Sequence, residues 1–198
     1  MTRDSKEDVL GDVFRDFEDN IGDKGYLKSR LMLAADNDIV NRANNELVER
    51  LPGKTHTFLS VDMAVDDEAG TTYLNTADDP SSLPQHELRL KVNAAVMLMC
   101  NFNVKAGHCN GTRYIIKSIT AHRLVLEKLD GIEGDTNNIL LFPIISNISS
   151  ERLQFPIKLA FAATFNISQG QSFEGKLGVI LPKKAWHNAR TRYKYFKC

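Results

Sequence analysis

A polar turn between two apolar segments carries the residues of this chain whose types and spacing are best suited to chemistry. Residues 154–181 read QFPIKLAFAATFNISQGQSFEGKLGVIL, and the turn comprises residues 166–172. Hydroxyls, carboxamides and backbone amides in such a turn can donate hydrogen bonds to a phosphate. Gly170 has no Cβ, so it lets the backbone adopt a positive φ and approach a ligand closely. By itself, the pattern is more typical of an ordinary loop than of a phosphate-binding turn. Other parts of the sequence are needed to choose between these two interpretations.

Residues 154–181 resemble motif V of the petite-integration-frequency (Pif-type) DNA helicases and their Helitron relatives. In that family the motif reads approximately QFPxxLAFAxTxNKSQGQS and a GVxL-like strand follows; Ile167 stands where the family usually has lysine. Residues 88–116, LRLKVNAAVMLMCNFNVKAGHCNGTRYII, are similar to the family's LxLKVGAPVMLLRNLxxxxGLCNGTRLIV. Residues 31–53, LMLAADNDIVNRANNELVERLPG, are similar to LAPTNEDVxxINxxxLxxLPG. Three blocks in the family's order are too many for chance similarity.

The resemblance implies roles for individual residues in and beside the turn. The residues expected to contact single-stranded DNA are Thr164, Asn166 and Ser168. Those expected to couple this contact to a nucleotide site are Gln169, Gly170 and Gln171. Because Ile167 replaces a lysine, we expect DNA binding to be weaker and its dependence on salt to be flatter. A turn that was retained after its function decayed is the open alternative.

The family hydrolyses ATP with Mg²⁺ between two RecA-like domains, and this sequence lacks two parts of that machinery. It contains no Gly-x-x-x-x-Gly-Lys-Ser/Thr loop; residues 53–55 read Gly-Lys-Thr, but no glycine-rich loop precedes them, and we interpret them as a turn that ends a helix. The family's arginine-bearing motif VI is not recognisable after residue 182, so neither Arg190 nor Arg192 is assigned as a finger. We assign no catalytic residue and predict that the chain alone does not hydrolyse ATP, because it needs an upstream P-loop domain.

A strand, a polar turn and a helix are predicted around the first block. Residues 30–35 form a short apolar run, and apolar residues then recur at helical spacing up to residue 51. The resemblance makes this the motif IV-like part of a RecA-type motor, with its functional edge where the strand ends. Asn37 is predicted to cap the helix. Asp36 replaces the family's threonine, and its carboxylate would repel a phosphate, so we favour capping over anion binding at Asn37.

Short apolar runs separated by turns between residues 88 and 148 predict several strands, as in a small barrel. An acidic surface loop is predicted over residues 62–84, and a helix with an apolar stripe over residues 9–21. The predicted fold is therefore α/β: a partial RecA-like, P-loop-NTPase-type motor domain with an inserted small antiparallel β-barrel. The predicted boundaries are 1–60 for the start of the second RecA-like domain, 61–150 for the acidic loop and barrel, 151–182 for the return to the motor domain, and 183–198 for a divergent tail.

Composition excludes several other classes of protein. Lys+Arg and Asp+Glu number 25 each in 198 residues, so no basic excess supports a simple electrostatic clamp on nucleic acid. Three cysteines without Cys-x-x-Cys spacing argue against zinc or a disulfide framework, and His108, Cys109 and His122 match no tetrahedral metal site. We predict no metal site, no membrane segment and no targeting signal. By resemblance, the expected location is the nucleus or mitochondrion.

Three functions remain open at this point. The first is the C-terminal fragment of an ATP-dependent DNA helicase, for which the family implies five-prime-to-three-prime polarity and roles in repair, recombination and telomere maintenance. The second is a single-stranded nucleic-acid-binding module without enzymatic activity, in which Phe102, Tyr114 or Phe165 would stack on bases, although core packing is the simpler role for each. The third is an inactive remnant of a mobile element.

Overall fold

The computed structural model describes residues 6–66, 70–74, 84–130, 138–146, 151–165, 173–180 and 194–197. The chain divides into two units. The first unit comprises Met1–Pro52 and Leu159–Cys198, and the second comprises Gly53–Lys158. The second unit is therefore inserted within the sequence of the first.

The first unit is organised by a sheet in which β1 (Arg30–Ala34) lies between two parallel neighbours, β13 (Ala162–Thr164) and β14 (Lys176–Ile180). A further strand, β15 (Lys194–Lys197), pairs antiparallel with β14. Four of the five residues of β1 are buried, as expected for a central strand of a parallel sheet. This arrangement confirms the predicted α/β class and the predicted strand after residue 30.

Among its described residues, the first unit has three α-helices: α1 (Lys6–Val13), α2 (Lys24–Lys28) and α3 (Asn37–Arg50). Helix α3 agrees with the prediction. The single helix predicted over residues 9–21 is wrong, because α1 ends at Val13 and a short 3-10 helix (Glu18–Asn20) follows. Helix α2 begins after a turn, where the Asp23 side chain caps it by accepting a hydrogen bond from Tyr26 N at 3.0 Å. None of the described helices has the length and apolar character needed to cross a membrane.

Aromatic rings and one glycine pack the helices of the first unit against its sheet. The rings of Phe14, Phe17 and Phe161 contact one another edge to face, with centroids 5.5–6.1 Å apart. Helix α1 lies so close to Gly178 of β14 that a Cβ there would stand 2.6 Å from Val13 Cγ2. The apolar stripe that predicted a long helix therefore does supply the core, although its later part is not helical.

The second unit consists of antiparallel strands. One pair is β2 (His56–Leu59) with β5 (Glu87–Leu90), and a four-stranded sheet has the order β10 (Ile144–Ser146), β11 (Glu151–Gln154), β3 (Val61–Asp66), β4 (Gly70–Leu74). A five-stranded sheet has the order β12 (Ile157–Leu159), β6 (Ala95–Leu98), β7 (Arg113–Ile119), β8 (Leu124–Lys128), β9 (Asn138–Leu141). Strands β5 to β10 lie in the region of the predicted apolar runs, but closure into a barrel is not confirmed and stays a prediction.

A buried polar cluster and two strands correct the described part of the acidic surface loop predicted over residues 62–84; residues 67–69 and 75–83 of that prediction lie outside the described residues. Residues 61–66 and 70–74 form a β-hairpin, and Asp62 is buried. Its two carboxylate oxygens each accept a hydrogen bond from Arg152 of β11, both at 2.8 Å. Arg152 Nη1 also donates to the Pro84 carbonyl, and Ser60 Oγ donates to Asp62 Oδ1, each at 2.8 Å. The hairpin is thus tied to a strand 90 residues away in sequence, which local composition does not reveal.

The carboxamide of Gln154, the first residue of the motif V block, has a structural role in the second unit. Its Nε2 donates to the Phe58 carbonyl at 3.1 Å and to the His86 carbonyl at 3.3 Å. Its Oε1 accepts from Phe155 N at 3.0 Å. Phe155 in turn packs edge to face on Phe58, with ring centroids 5.0 Å apart. The start of the block therefore holds β2 and the segment before β5 together.

Candidate nucleic-acid interface

The parallel strands of the first unit end at a common edge, which we term the carboxyl edge and define by Ala34, Thr164 and Ile180. Ala34 is the register partner of both Thr164 and Ile180. In open α/β sheets, ligands bind in the crevice outside the carboxyl ends of the strands. Two sequence-predicted site residues are described by the structure, Thr164 at this edge and Asn37 just after it. The others, Asn166, Ser168, Gln169, Gly170 and Gln171, lie outside the described residues.

The turn after β1 is capped by a different residue from the one predicted. Asp36, not Asn37, is the N-cap of α3: its backbone is extended, and Oδ1 accepts from Asp38 N at 2.8 Å. Asn37 is the first residue of the helix and is exposed. The prediction was wrong because the cap must have a non-helical backbone, and the chain enters helical geometry one residue earlier than the pattern suggests. A carboxylate at this position also interacts favourably with the helix dipole.

Asn44 on α3 fixes the position of β13, a role that no sequence motif indicated. Its Oδ1 accepts from Ala162 N at 2.8 Å, while Nδ2 donates to the carbonyls of Ala162 at 3.0 Å and Leu159 at 3.3 Å. Asn44 is 4% exposed. A polar residue on the face that also carries Ala43 and Leu47 was the available signal. Because β13 ends at Thr164, this contact positions the strand that leads into the motif V turn.

The charges of the carboxyl edge bear on which ligand it accepts. Thr164 is half-buried and supplies a neutral hydroxyl, whereas Asp36 and Asp38 supply carboxylates. Asp36 already uses its carboxylate for the helix cap. A nucleotide with Mg²⁺ needs cationic and amide donors around its phosphates, so the described residues of this edge do not fit that group by themselves. They are suited to contacting a few phosphate oxygens through neutral donors.

The three aromatic residues considered for base stacking differ in exposure. Tyr114 is 0% exposed, and its hydroxyl lies 2.7 Å from His108 Nδ1, so it belongs to the core. Burial raises the pKa of Tyr114, and burial followed by the Lys128 charge lowers the pKa of His108. Phe165 is half-buried, whereas Phe102 is 50% exposed. Of the three, Phe102 presents the most ring surface to solvent.

The described residues contain no group of three or more His, Cys, Asp or Glu side chains placed to hold a metal ion. The sequence predicts a buried thiol at Cys109, beside the Asn110-Gly111 turn. That thiol and Cys100 are both half-buried and free, and burial raises the pKa of Cys100. The Cys100 thiol is therefore not predisposed to reactivity.

Comparisons with known proteins agree with the sequence motifs. The family model described as "DNA helicase Pif1, 2B domain" matches residues 73–119, within the second unit. The ATP-dependent DNA helicase PIF1 of Xenopus laevis is 26% identical over 175 residues, which cover 85% of this chain and 26% of the frog protein. The human protein of the same name is 28% identical over 158 residues, which cover 78% of this chain and 23% of that protein. The chain thus spans about a quarter of the length of these relatives.

Solved structures give the same answer for the fold. The Pif1 helicase of Candida albicans has a TM-score of 0.60 and 20% identity, and the alignment covers 92% of this chain and 48% of that one. Bacteroides Pif1 bound to single-stranded DNA has a TM-score of 0.54 and 17% identity over 91% of this chain and 43% of that one. Three motif blocks in the family's order, the family-model match and an α/β fold shared with these solved structures make the chain similar to the C-terminal portion of the Pif-type DNA helicases.

Proposed function

We propose that this chain supplies part of the second RecA-like domain of an ATP-dependent DNA helicase of the Pif type and contacts single-stranded DNA at its carboxyl edge. The observation that carries the proposal is the register of β1, β13 and β14, in which Thr164 and Ile180 both pair with Ala34. The motif V turn begins two residues after Thr164. Its proposed DNA-contacting residues therefore follow directly from the edge at which α/β sheets bind ligands.

The proposed contact depends little on net charge. The chain has 25 basic and 25 acidic residues, Ile167 replaces a family lysine, and Asp36 adds a carboxylate beside the edge. Hydroxyls and carboxamides of Thr164, Asn166 and Ser168 would donate to phosphate oxygens instead. Such a contact is weak by itself, since most nonspecific affinity for DNA comes from the release of counterions by cations.

ATP hydrolysis in this proposal requires a separate P-loop domain. The sequence has no P-loop and no recognisable arginine finger, and the relatives named ATP-dependent DNA helicases are about four times as long as the matched region. Gln169, Gly170 and Gln171 would couple the DNA contact to ATP and Mg²⁺ held mainly by that upstream domain. We expect the chain alone to show no DNA-stimulated ATPase. Five-prime-to-three-prime polarity and a nuclear or mitochondrial location belong to the same proposal.

The test is to restore the missing cation. Fluorescence anisotropy with a labelled oligothymidylate, titrated at several salt concentrations, should show weak binding by the wild-type chain. Ile167→Lys should bind more tightly, and the slope of log K against log salt should steepen by about 0.7, the value for one phosphate contact on single strands. Asn45→Lys adds the same charge to an exposed position of α3 and should change the slope much less. Absence of binding by both the wild type and Ile167→Lys at low salt would refute the proposal and favour an inactive remnant.

A second candidate, a single-strand-binding module that works without ATP, is favoured by the exposure of Phe102. The helicase part and the ATP-independent module predict different results when ATP hydrolysis is measured with an added P-loop domain. If the chain is mixed with the P-loop domain of a Pif-type relative, a helicase part should restore DNA-stimulated ATP hydrolysis, and Gln169→Ala should abolish that gain. A module independent of ATP should bind the oligonucleotide equally well with or without the added domain and restore no hydrolysis.

A further inference from the structure

We propose that the loop between β6 and β7, residues 99–112 and termed here the β6–β7 loop, is a second contact for single-stranded DNA, in which Phe102 stacks on a base and Lys105 meets an adjacent phosphate. The proposal rests on the proposed DNA binding of the chain and adds a site in the second unit to the one at the carboxyl edge. It follows from three features of the loop: its fixed conformation, the apolar side chains that it exposes, and its charge.

Hydrogen bonds fix the tip of the loop. Asn103 and His108 form an isolated β-bridge, with Asn103 N donating to His108 O at 2.9 Å and His108 N to Asn103 O at 2.8 Å. Phe102 N also donates to His108 O at 2.9 Å. Between them, a short 3-10 helix (Val104–Ala106) is capped by Asn103 Oδ1, which accepts from Ala106 N, and is ended by Gly107 with φ 73°. The backbone that carries Phe102 is therefore already ordered without a ligand.

The base of the loop is attached to the five-stranded sheet. Asn101 Oδ1 accepts from Asn110 N at 2.9 Å, and Gly111 N donates to the Leu98 carbonyl at the end of β6 at 2.9 Å. His108 Nδ1 lies 2.7 Å from the hydroxyl of Tyr114, a fully buried residue of β7. Because the loop is held at both its tip and its base, a bound strand would cost little additional ordering of the backbone.

Two apolar side chains are exposed on this ordered loop. Phe102 is 50% exposed and Val104 is 64% exposed. Large aromatic rings are ordinarily buried in a folded protein. An ordered loop that exposes such a ring to water provides a surface on which a base can stack. Stacking tolerates any base, which suits a protein that contacts single strands without reading sequence.

The charge of the loop favours a nucleic acid over other partners. Residues 99–112 read MCNFNVKAGHCNGT and contain Lys105 but neither Asp nor Glu, in a chain whose net charge is zero. Lys128 lies against the loop, because a Cβ added at Gly107 would stand 2.8 Å from its Nζ. The Lys128 charge is also a secondary cause, after burial, of the lowered pKa of His108. An exposed ring on a loop that carries one lysine, lies against a second and has no carboxylate of its own matches a strand of stacked bases joined by phosphates.

The test uses the full chain and an oligothymidylate that carries 5-iodouracil, a base that crosslinks on irradiation to aromatic rings on which it stacks. After trypsin digestion, we expect crosslinks in the peptide of residues 92–105, and Phe102→Ala should remove them. Crosslinks in the peptide of residues 159–176, which contains Thr164, would independently report DNA bound at the carboxyl edge. Crosslinks only in residues 159–176 would overturn this inference and leave the proposed function standing. Crosslinks only in residues 92–105 would support this inference and contradict the contact at the carboxyl edge.

Affinity provides a second measurement with a matched control. Phe102→Ala should weaken binding of the oligothymidylate by about 5- to 30-fold, within the range for loss of one stacked base. Phe142→Ala removes a ring that is equally exposed, at 52%, and should have no effect. On an oligonucleotide of abasic sites, wild type and Phe102→Ala should bind equally, whereas Lys105→Gln should lower the salt slope by about 0.7 on both ligands. Equal affinities of Phe102→Ala and Phe142→Ala for oligothymidylate would refute stacking and indicate that the exposed ring serves a protein partner.

Discussion

Replacing Asn44 by alanine tests whether one buried carboxamide holds the strand that leads into the motif V turn. Asn44 makes three hydrogen bonds to the backbone of Ala162 and Leu159, at 2.8, 3.0 and 3.3 Å. In Asn44→Ala the Ala162 N–H loses its acceptor while it stays buried. An orphaned buried donor costs about 1–3 kcal/mol, and each other lost hydrogen bond contributes about 1 kcal/mol. The better helix propensity of alanine offsets a few tenths of a kcal/mol, so we expect a loss of about 2.5–4.5 kcal/mol.

Asn45 provides a matched control, because it is the next residue of the same helix and is exposed. Asn45→Ala should change the free energy of unfolding by at most about 0.5 kcal/mol, as surface substitutions usually do. Asn44→Asp keeps an acceptor for Ala162 N but places a carboxylate oxygen where Nδ2 now donates to two carbonyls. It should therefore be at least as destabilising as Asn44→Ala.

Urea unfolding followed by circular dichroism measures these free energies, and hydrogen exchange localises the change. Exchange should speed up in the peptide of residues 159–176 in Asn44→Ala and stay unchanged in the peptide of residues 92–105, because the lost contacts belong to the first unit. If Asn44→Ala and Asn45→Ala unfold at the same urea concentration, or if exchange is unchanged in residues 159–176, the assigned role of Asn44 is wrong.

Three further predictions concern packing, a buried ion pair and pH. Gly178→Ala should lower the free energy of unfolding in urea by about 1–3 kcal/mol, because its Cβ would stand 2.6 and 2.9 Å from valine methyl carbons of α1. Gly11→Ala is the control, since a Cβ there meets open space, and it should be neutral or stabilising. Equal effects of the two substitutions would contradict this packing. Arg152→Leu should cost about 3–5 kcal/mol by leaving the Asp62 carboxylate buried without its cation. Adding Asp62→Leu should recover much of that loss, and strict additivity in the double-mutant cycle would disprove the coupling. Burial, followed by a nearby lysine, lowers the pKa of His108 from 6.5, so the unfolded chain takes up the proton first and wild-type stability should fall as pH drops below about 6.5. His108→Gln should flatten the stability profile in that range, and an unchanged slope between pH 7 and 5 would exclude the assignment.

Local patterns predicted the elements whose character is set by their own residues. The apolar run of β1 and the helical spacing of α3 lie where the sequence indicates, and β6, β7 and β8 match their apolar runs to within a few residues. Turns such as Asn110-Gly111 carry conformational preferences of their own. The predicted run over residues 139–148 is two strands, since it is interrupted before Ile144.

Patterns failed where a residue's partner is distant in the chain. The apolar residues after Val13 do not continue the helix. Phe14 and Phe17 can still pack against Phe161 in the core, because these ring contacts do not require a continuous helix. Asp62 belongs to an acidic stretch by composition, but it is buried against Arg152. In each case a contact across 90 or more positions overrides what the neighbouring residues favour.

The resemblance to the Pif-type helicases and the chemistry available at the motif V turn could be inferred from the sequence, because residue types and their spacing are local properties that can be compared directly. The α/β class could also be inferred, since hydrophobic periodicity reports the face that each element buries. The folded structure was needed to show that Thr164 pairs with Ala34, that Asn44 positions β13, and that Phe102 is exposed on an ordered loop. These features depend on contacts between residues that are distant in sequence and come together only when the chain folds. Buried hydrogen-bonding groups need partners, and the fold determines which residues provide them.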